Sequence, residues 1–178
     1  MAAQLYLVAL GSNRPHARYG APRAVLTAAC TALTQLPAQI IALAPTLTSA
    51  PVGPSLRQYA NSAVIIETGF GPAKLMSCLK QIERSFGRRP GGQRWSSRVL
   101  DLDIILWSGG SFHTSDLTIP HPAFRQRSFV LQPAMAIAPC WKDPVTNLSL
   151  RQLHARLTRR APPPRGATST RNICVSGP

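Results

Sequence analysis

The sequence predicts one compact domain that mixes strands and helices, and three segments carry that reading. Leu5 to Leu10 is apolar on both alternating faces, Tyr59 to Thr68 alternates with period two, and Pro72 to Phe86 carries apolar residues at helical spacing. With 178 residues and 44% hydrophobic content, the chain is long enough to bury a sizeable core but short for two domains. The domain is expected over residues 1–158. Residues 159–178 read as a basic, Pro- and Arg-rich tail whose low apolar content predicts disorder.

Taken in order, Leu5–Leu10 predicts a central strand covered on both sides, broken by Gly11-Ser12-Asn13. From Ala21 to about Leu36 apolar and small residues recur at helical spacing, and Pro37 ends the run because proline lacks the next amide donor. Ile40 to Thr48 leans towards strand, Ala50 to Pro54 is a loop, and Tyr59–Thr68 is a further strand expected to pair with the first of these. Its alternation puts Tyr59, Asn61, Ala63 and Ile65 on one face and Ala60, Ser62, Val64 and Ile66 on the other. In the next helix Pro72 suits the first turn and Gly87 the end, with Leu75, Leu79, Ile82 and Phe86 as its apolar stripe. Gly87 to Arg98 has no periodicity and carries Arg88, Arg89, Arg94 and Arg98, the pattern of a mobile basic loop. A strand over Val99–Trp107, a turn at Gly109-Gly110 and a proline-held Ile119–Pro122 segment follow. Helices are expected near Phe129–Ile137 and Leu150–Leu157.

Seventeen arginines and three lysines stand against six acids, a net charge of +14. Such a field favours anions, whether nucleic acid, an anionic membrane or a phosphorylated small molecule, and does not choose among them. Cys30, Cys78, Cys140 and Cys174 lie far apart with no CxxC pair, which writes neither a zinc site nor a disulfide framework, so mostly buried free thiols are expected. Leu5–Leu10 lacks the layout of a signal peptide, and no apolar stretch is long enough to span a bilayer. A cytoplasmic protein without a membrane partner is the expectation.

The scarce acids fall where they matter. Period two in Val99–Trp107 places Leu100, Leu102, Ile104 and Leu106 on one face and both Asp101 and Asp103 on the other. Their Cα atoms stand roughly 6.5 Å apart, within reach of one hard cation or a shared pair of them. Oxygen ligands at this spacing suit Mg²⁺; the bland alternative is a solvated face on which the two aspartates pair with arginines. Arg88, Arg89, Arg94 and Arg98 offer guanidinium donors that match phosphate oxygens, and metal with arginine is the equipment of phosphoryl transfer. Tyr59 and Phe129 could hold a flat ring, His121 could reach a phosphate, and Trp95 could close over a ligand; each taken alone also fits a structural role. Neither a G-x-x-x-x-G-K-[ST] loop nor the protein-kinase signature set is present.

Several motifs in register then resemble one family. They are Leu10-Gly-Ser-Asn13, Tyr59-Ala-Asn-Ser-Ala-Val64, Ile82-Glu83 before Gly87-Arg88, Arg94-Trp95 to Arg98, Leu100-Asp-Leu-Asp-Ile104, Ile119-Pro-His-Pro122, and Arg127-Ser-Phe129 to Ile137-Ala-Pro139. Over about Leu5 to Pro139 the chain resembles the 6-hydroxymethyl-7,8-dihydropterin pyrophosphokinases of folate synthesis. The resemblance implies a ferredoxin-like α+β fold, a mainly antiparallel sheet with helices packed on it. It also implies transfer of the β,γ-pyrophosphoryl group of ATP to the pterin hydroxymethyl oxygen, releasing AMP.

Carried over by position, Asp101 and Asp103 would bind two Mg²⁺ ions, and Arg88 and Arg98 would act on the moving group. Glu83, Arg94, Trp95, Ile104, Thr118, His121 and Arg127 would line the ATP site. Ser49, Ala50, Val52, Tyr59, Asn61 and Phe129 would form the pterin site, with Tyr59 and Phe129 as the sandwich. The implied partners are ATP and the dihydropterin, with no specific nucleic acid and a monomeric chain. Pro90, Ser96-Ser97 and Ser49-Ala50-Pro51-Val52 depart from the family pattern and bear on loop closure. Two other readings stay open: a basic nucleic-acid-binding protein, and a pyrophosphokinase fold that binds its ligands without turnover.

Overall fold

A computed structural model describes residues 3–49, 59–87 and 99–159. The chain runs β1 (Gln4–Ser12), α1 (Pro22–Leu33), β2 (Ala38–Leu43), β3 (Leu47–Ser49), β4 (Tyr59–Thr68), α2 (Pro72–Ser85) and β5 (Asp101–Trp107). It continues through β6 (Phe112–His113), β7 (Thr118–Ile119), a 3-10 turn (Phe124–Gln126), α3 (Ser128–Ile137) and α4 (Leu150–Thr158). The main sheet has the order β2-β4-β1-β5 with β3 also paired to β4, and every pairing is antiparallel. With α1 and α2 as the two crossovers, this is the expected ferredoxin-like α+β arrangement.

Helices cover both faces of the sheet, which explains the apolar residues on both sides of β1. On one face Tyr6, Val8 and Leu10 pack with Val64, Leu102 and Ile104 against Val25, Leu26 and Leu33 of α1 and Leu75, Leu79 and Ile82 of α2. On the other face Leu7, Ala63 and Ile65 meet Val130, Leu131 and Ala134 of α3 and Leu150 and Leu153 of α4. The stripe read on α2 is therefore the buried one, and β4 alternates between the two cores as its pattern predicts. Gly87 ends that segment at φ +85°, a conformation that L side chains rarely adopt.

Four expectations change. α1 stops at Leu33 instead of near Leu36, because the chain tightens through Gln35 N–H to Ala32 O and Leu36 N–H to Leu33 O before Pro37. The expected Ile40–Thr48 strand is two strands, split around Pro45, which has no N–H to offer a ladder. Leu106 does not share the face of Leu100, Leu102 and Ile104. Val8 pairs with Ile104 but Leu7 pairs with Leu106, so Ile105 is an inserted bulge residue, and Leu106 turns towards α3 and α4. Of the described cysteines, Cys78 alone is buried; Cys30 is half-buried and Cys140 exposed, all three as free thiols.

One ion pair stitches the 3-10 turn to the loop before α4. Asp143 is fully buried and accepts from Arg125 Nε at 2.8 Å and Nη2 at 2.7 Å, from the Val145 amide at 3.2 Å and from the Thr146 hydroxyl. Burial alone would raise its pKa, but these hydrogen bonds, the Arg125 fork first, together hold it below the ordinary carboxylate value. Among the described residues no helix is long and apolar enough to cross a membrane. The expectations for Ala50 and Val52, for the basic loop over 88–98 and for the tail from 160 fall outside the described residues.

Candidate active site

Strand register assembles the site. Gly11 of β1 lies opposite Asn61 of β4 on one side and Asp101 of β5 on the other. One step along, Ala9 lies between Ala63 and Asp103. Across three neighbouring strands the floor is therefore small, Gly11 and Ala9, with Asn61 and the aspartates on its flanks about 9.5 Å apart by strand spacing. A Cβ built on Gly11 would meet Asn61 Oδ1 at 3.7 Å, an ordinary contact, so the floor is low here because the residue is small and not because a larger one would clash. The start of α3 roofs the cleft: Asn61, Asp101, Asp103, Arg127 and Phe129 line it together. The Arg127 guanidinium lies 5.9 Å from the centre of the Phe129 ring.

Both aspartates are half-buried, and strand parity aims them into the cleft as expected. Among the described residues no group of three or more His, Cys, Asp or Glu forms. A cation bound here would take these two carboxylates and complete its shell from water or ligand oxygens, the habit of Mg²⁺. The donor set fits that ion.

His121 is held beside the pair. Its amide donates to Ile105 O at 3.1 Å, and its Nδ1 accepts the Ala123 amide at 3.3 Å, so in the neutral ring the proton sits on Nε2. Burial lowers its pKa below the ordinary 6.5; Asp103 and Asp101 pull upward, Arg127 pushes downward, and the net shift is down. The ring is a neutral donor near neutral pH.

Three residues expected at the ATP site stand differently from open lining groups. Glu83 is fully buried, its Oε1 accepting the Leu102 amide at 2.7 Å and Lys80 Nζ at 2.9 Å, which clips α2 to the outer edge of β5. Ile104 buries its side chain in the core on the far face of the sheet, so a ligand contact can come only from its main chain. Thr118, on β7, pairs its hydroxyl with His113 Nδ1 at 3.0 Å. Tyr59 opens β4 opposite Ser49 of β3, half-buried and on the same strand face as Asn61. Arg88, Arg94, Trp95 and Arg98 lie outside the described residues.

Sequence reasoning passed over Lys80. Its i,i+3 relation to Glu83 is visible in the sequence, but its approach to Asp103, 3.9 Å from Nζ to Oδ1, depends on how α2 docks on β5. The small floor residues Ala9 and Gly11 were also missed as site components, since only the register shows what they separate.

Comparison with known proteins bears on the family and the fold. Residues 7–139 match the family described as 7,8-dihydro-6-hydroxymethylpterin-pyrophosphokinase (HPPK). The chain is 35% identical over 138 residues to the 2-amino-4-hydroxy-6-hydroxymethyldihydropteridine pyrophosphokinase of Pseudomonas aeruginosa, covering 76% of this chain and 82% of that one. It is 37% identical over 133 residues to the Haemophilus influenzae enzyme of the same name, covering 74% and 79%. A Synechocystis relative of that name is 39% identical over 101 residues, a match that spans 57% of this chain and only 51% of the relative. A crystal structure of Plasmodium falciparum HPPK-DHPS with pteroate superposes with a TM-score of 0.67 over 87% of this chain and 42% of that one, at 12% identity, a likeness of fold alone. From the matched residues 7–139 and these identities, the chain belongs to the HPPK family.

Proposed function

We propose that this chain moves the β,γ-pyrophosphoryl group of ATP onto the hydroxymethyl oxygen of 6-hydroxymethyl-7,8-dihydropterin, with Asp101 and Asp103 holding two Mg²⁺ ions. Membership of the family supports the reaction. The observation that supports the residue roles is that Asp101, Asp103, Asn61, Arg127 and Phe129 line one cleft. In the step, the pterin hydroxyl oxygen forms a bond to the β-phosphorus, the bond from that phosphorus to the α,β-bridging oxygen breaks, AMP leaves, and the hydroxyl proton passes to solvent. Bound Mg²⁺ supplies neutralisation of phosphate charge and in-line alignment.

The chain's own groups do the rest. Asn61 offers both donor and acceptor to the polar edge of a pterin, and Phe129 supplies one wall of a flat slot whose other wall we assign to Tyr59. Ser49, Ala50 and Val52 belong to the pterin side of this reading. Arg127 and the Nε2–H of His121 donate to phosphate oxygens. Arg88 and Arg98 stabilise the moving group, while Arg94, Trp95, Thr118 and the main chain of Ile104 hold the nucleotide. Glu83 acts from behind, by fixing the edge of β5. Since one chain supplies every named group, a monomer suffices, and the cytoplasm is the compartment that offers both substrates.

The test is product identity. Incubation with ATP, Mg²⁺ and the dihydropterin should release AMP in step with pterin diphosphate. Release of ADP, or no AMP above background, would overturn the reading.

A further inference from the structure

Lys80 and Glu83 lie three residues apart on α2, and this side of the helix meets the edge of β5 that faces away from β1. Glu83 Oε1 takes the Leu102 N–H at 2.7 Å, and Lys80 Nζ stands 3.4 Å from the Leu102 carbonyl oxygen and 2.9 Å from Glu83 Oε1. The pair thus occupies the place that a further strand would take, satisfying the edge between the two aspartates. Glu83 is fully buried, so its carboxylate anchors the ammonium instead of leaving it to wander in solvent. So held, the ammonium reaches 3.9 Å from Asp103 Oδ1, with the two side chains 30% and 28% exposed.

Resting on the reading that Asp103 holds Mg²⁺, we infer that Lys80 is a positioning residue that sets when the metal enters. It is a held counter-charge beside Asp103. A cation beside a carboxylate repels a second cation seeking the same oxygen, so the nucleotide-free cleft is a weakened divalent site. A polyphosphate brings the negative charge that offsets Lys80, and the ion is then held jointly by protein and ATP. Lys80 thereby couples metal capture to nucleotide arrival, apart from its purely structural bonds to Glu83 and Leu102.

Lys80→Gln separates the two roles, because the amide keeps a donor for Glu83 and the Leu102 carbonyl while the charge goes. Mn²⁺, which shares the oxygen preference of Mg²⁺, is titrated calorimetrically into the full, nucleotide-free chain. Lys80→Gln should bind Mn²⁺ about two- to five-fold tighter than wild type, the range expected of a half-exposed ion pair, and Lys80→Arg should match wild type. Unchanged or weaker binding in Lys80→Gln overturns the inference, while a large loss in Asp103→Asn would still uphold the metal site. No loss in Asp103→Asn overturns the metal reading and the role of Lys80 with it. Should Lys80→Gln fail to fold, Lys80→Met, which keeps a long side chain without the charge, carries the test with the same sign: tighter Mn²⁺ binding than wild type is expected, and unchanged or weaker binding overturns the proposal.

Discussion

Asp103 is where stability and function pull apart. Its carboxylate is partly exposed and lies beside that of Asp101, so removing it relieves repulsion and costs the fold little. Asp103→Ala should therefore keep a melting temperature within a few degrees of wild type while AMP release falls by about 100-fold or more, since charge neutralisation at the phosphates is lost. Near-normal turnover would remove the metal role. His121 reports on the same carboxylates. Burial first of all lowers its pKa, while Asp103 and Asp101 work against that, so its NMR titration midpoint should lie below 6.5 and fall further in Asp103→Asn. The folded state then binds fewer protons than the unfolded one between the two midpoints. The stability from neutral His121 is full above the unfolded value and is lost as pH falls from there towards the folded midpoint.

Among elements, the 3-10 turn and α3 matter most, because they carry Arg127 and Phe129 over the cleft. They are held by Arg125 through buried Asp143. Arg125→Ala leaves that carboxylate buried without its fork, and should cost about 3 kcal/mol in chemical denaturation. It should also raise KM for the pterin more than it lowers kcat, as the roof loosens. In the wild type the depressed pKa of Asp143 gives stability that is complete above the unfolded carboxylate value and disappears as pH drops through the folded one. Arg125→Ala should flatten that acid limb, and an unchanged limb would show that the pair does not govern it. These elements also show what sequence could tell. The stripe Leu75, Leu79, Ile82 and Phe86 and the alternation of β4 were legible because each is a local period imposed by a nearby core. The bulge at Ile105 was not, since one inserted apolar residue among Leu and Ile leaves no trace in period two. The aspartates could be read as a pair from their strand, but their neighbours His121, Lys80 and Arg127 come from segments whose docking no local pattern encodes.

At the scale of the whole molecule, the +14 charge remains after the site has been described. Of the six acids, Asp143 is paired with Arg125, Glu83 with Lys80, and Asp101 and Asp103 face the cleft, so little negative charge is left to balance the surface arginines. Such a field acts over distance and should speed the arrival of a polyanion without changing what happens once it is bound. Salt separates these effects, because screening shortens the field to about 10 Å at 0.1 M ionic strength but barely reaches a substrate already in the cleft. With Mg²⁺ saturating, kcat/KM for ATP should fall steadily between low and physiological ionic strength while kcat stays nearly level. KM for the pterin, which carries no phosphate, should change far less. A kcat/KM for ATP that ignores salt would mean that the arginines do not steer the substrate, and the charge would then be a habit of composition. Binding to DNA that survives physiological salt would instead point to a nucleic-acid role, because charge alone gives binding that is lost as counterions compete.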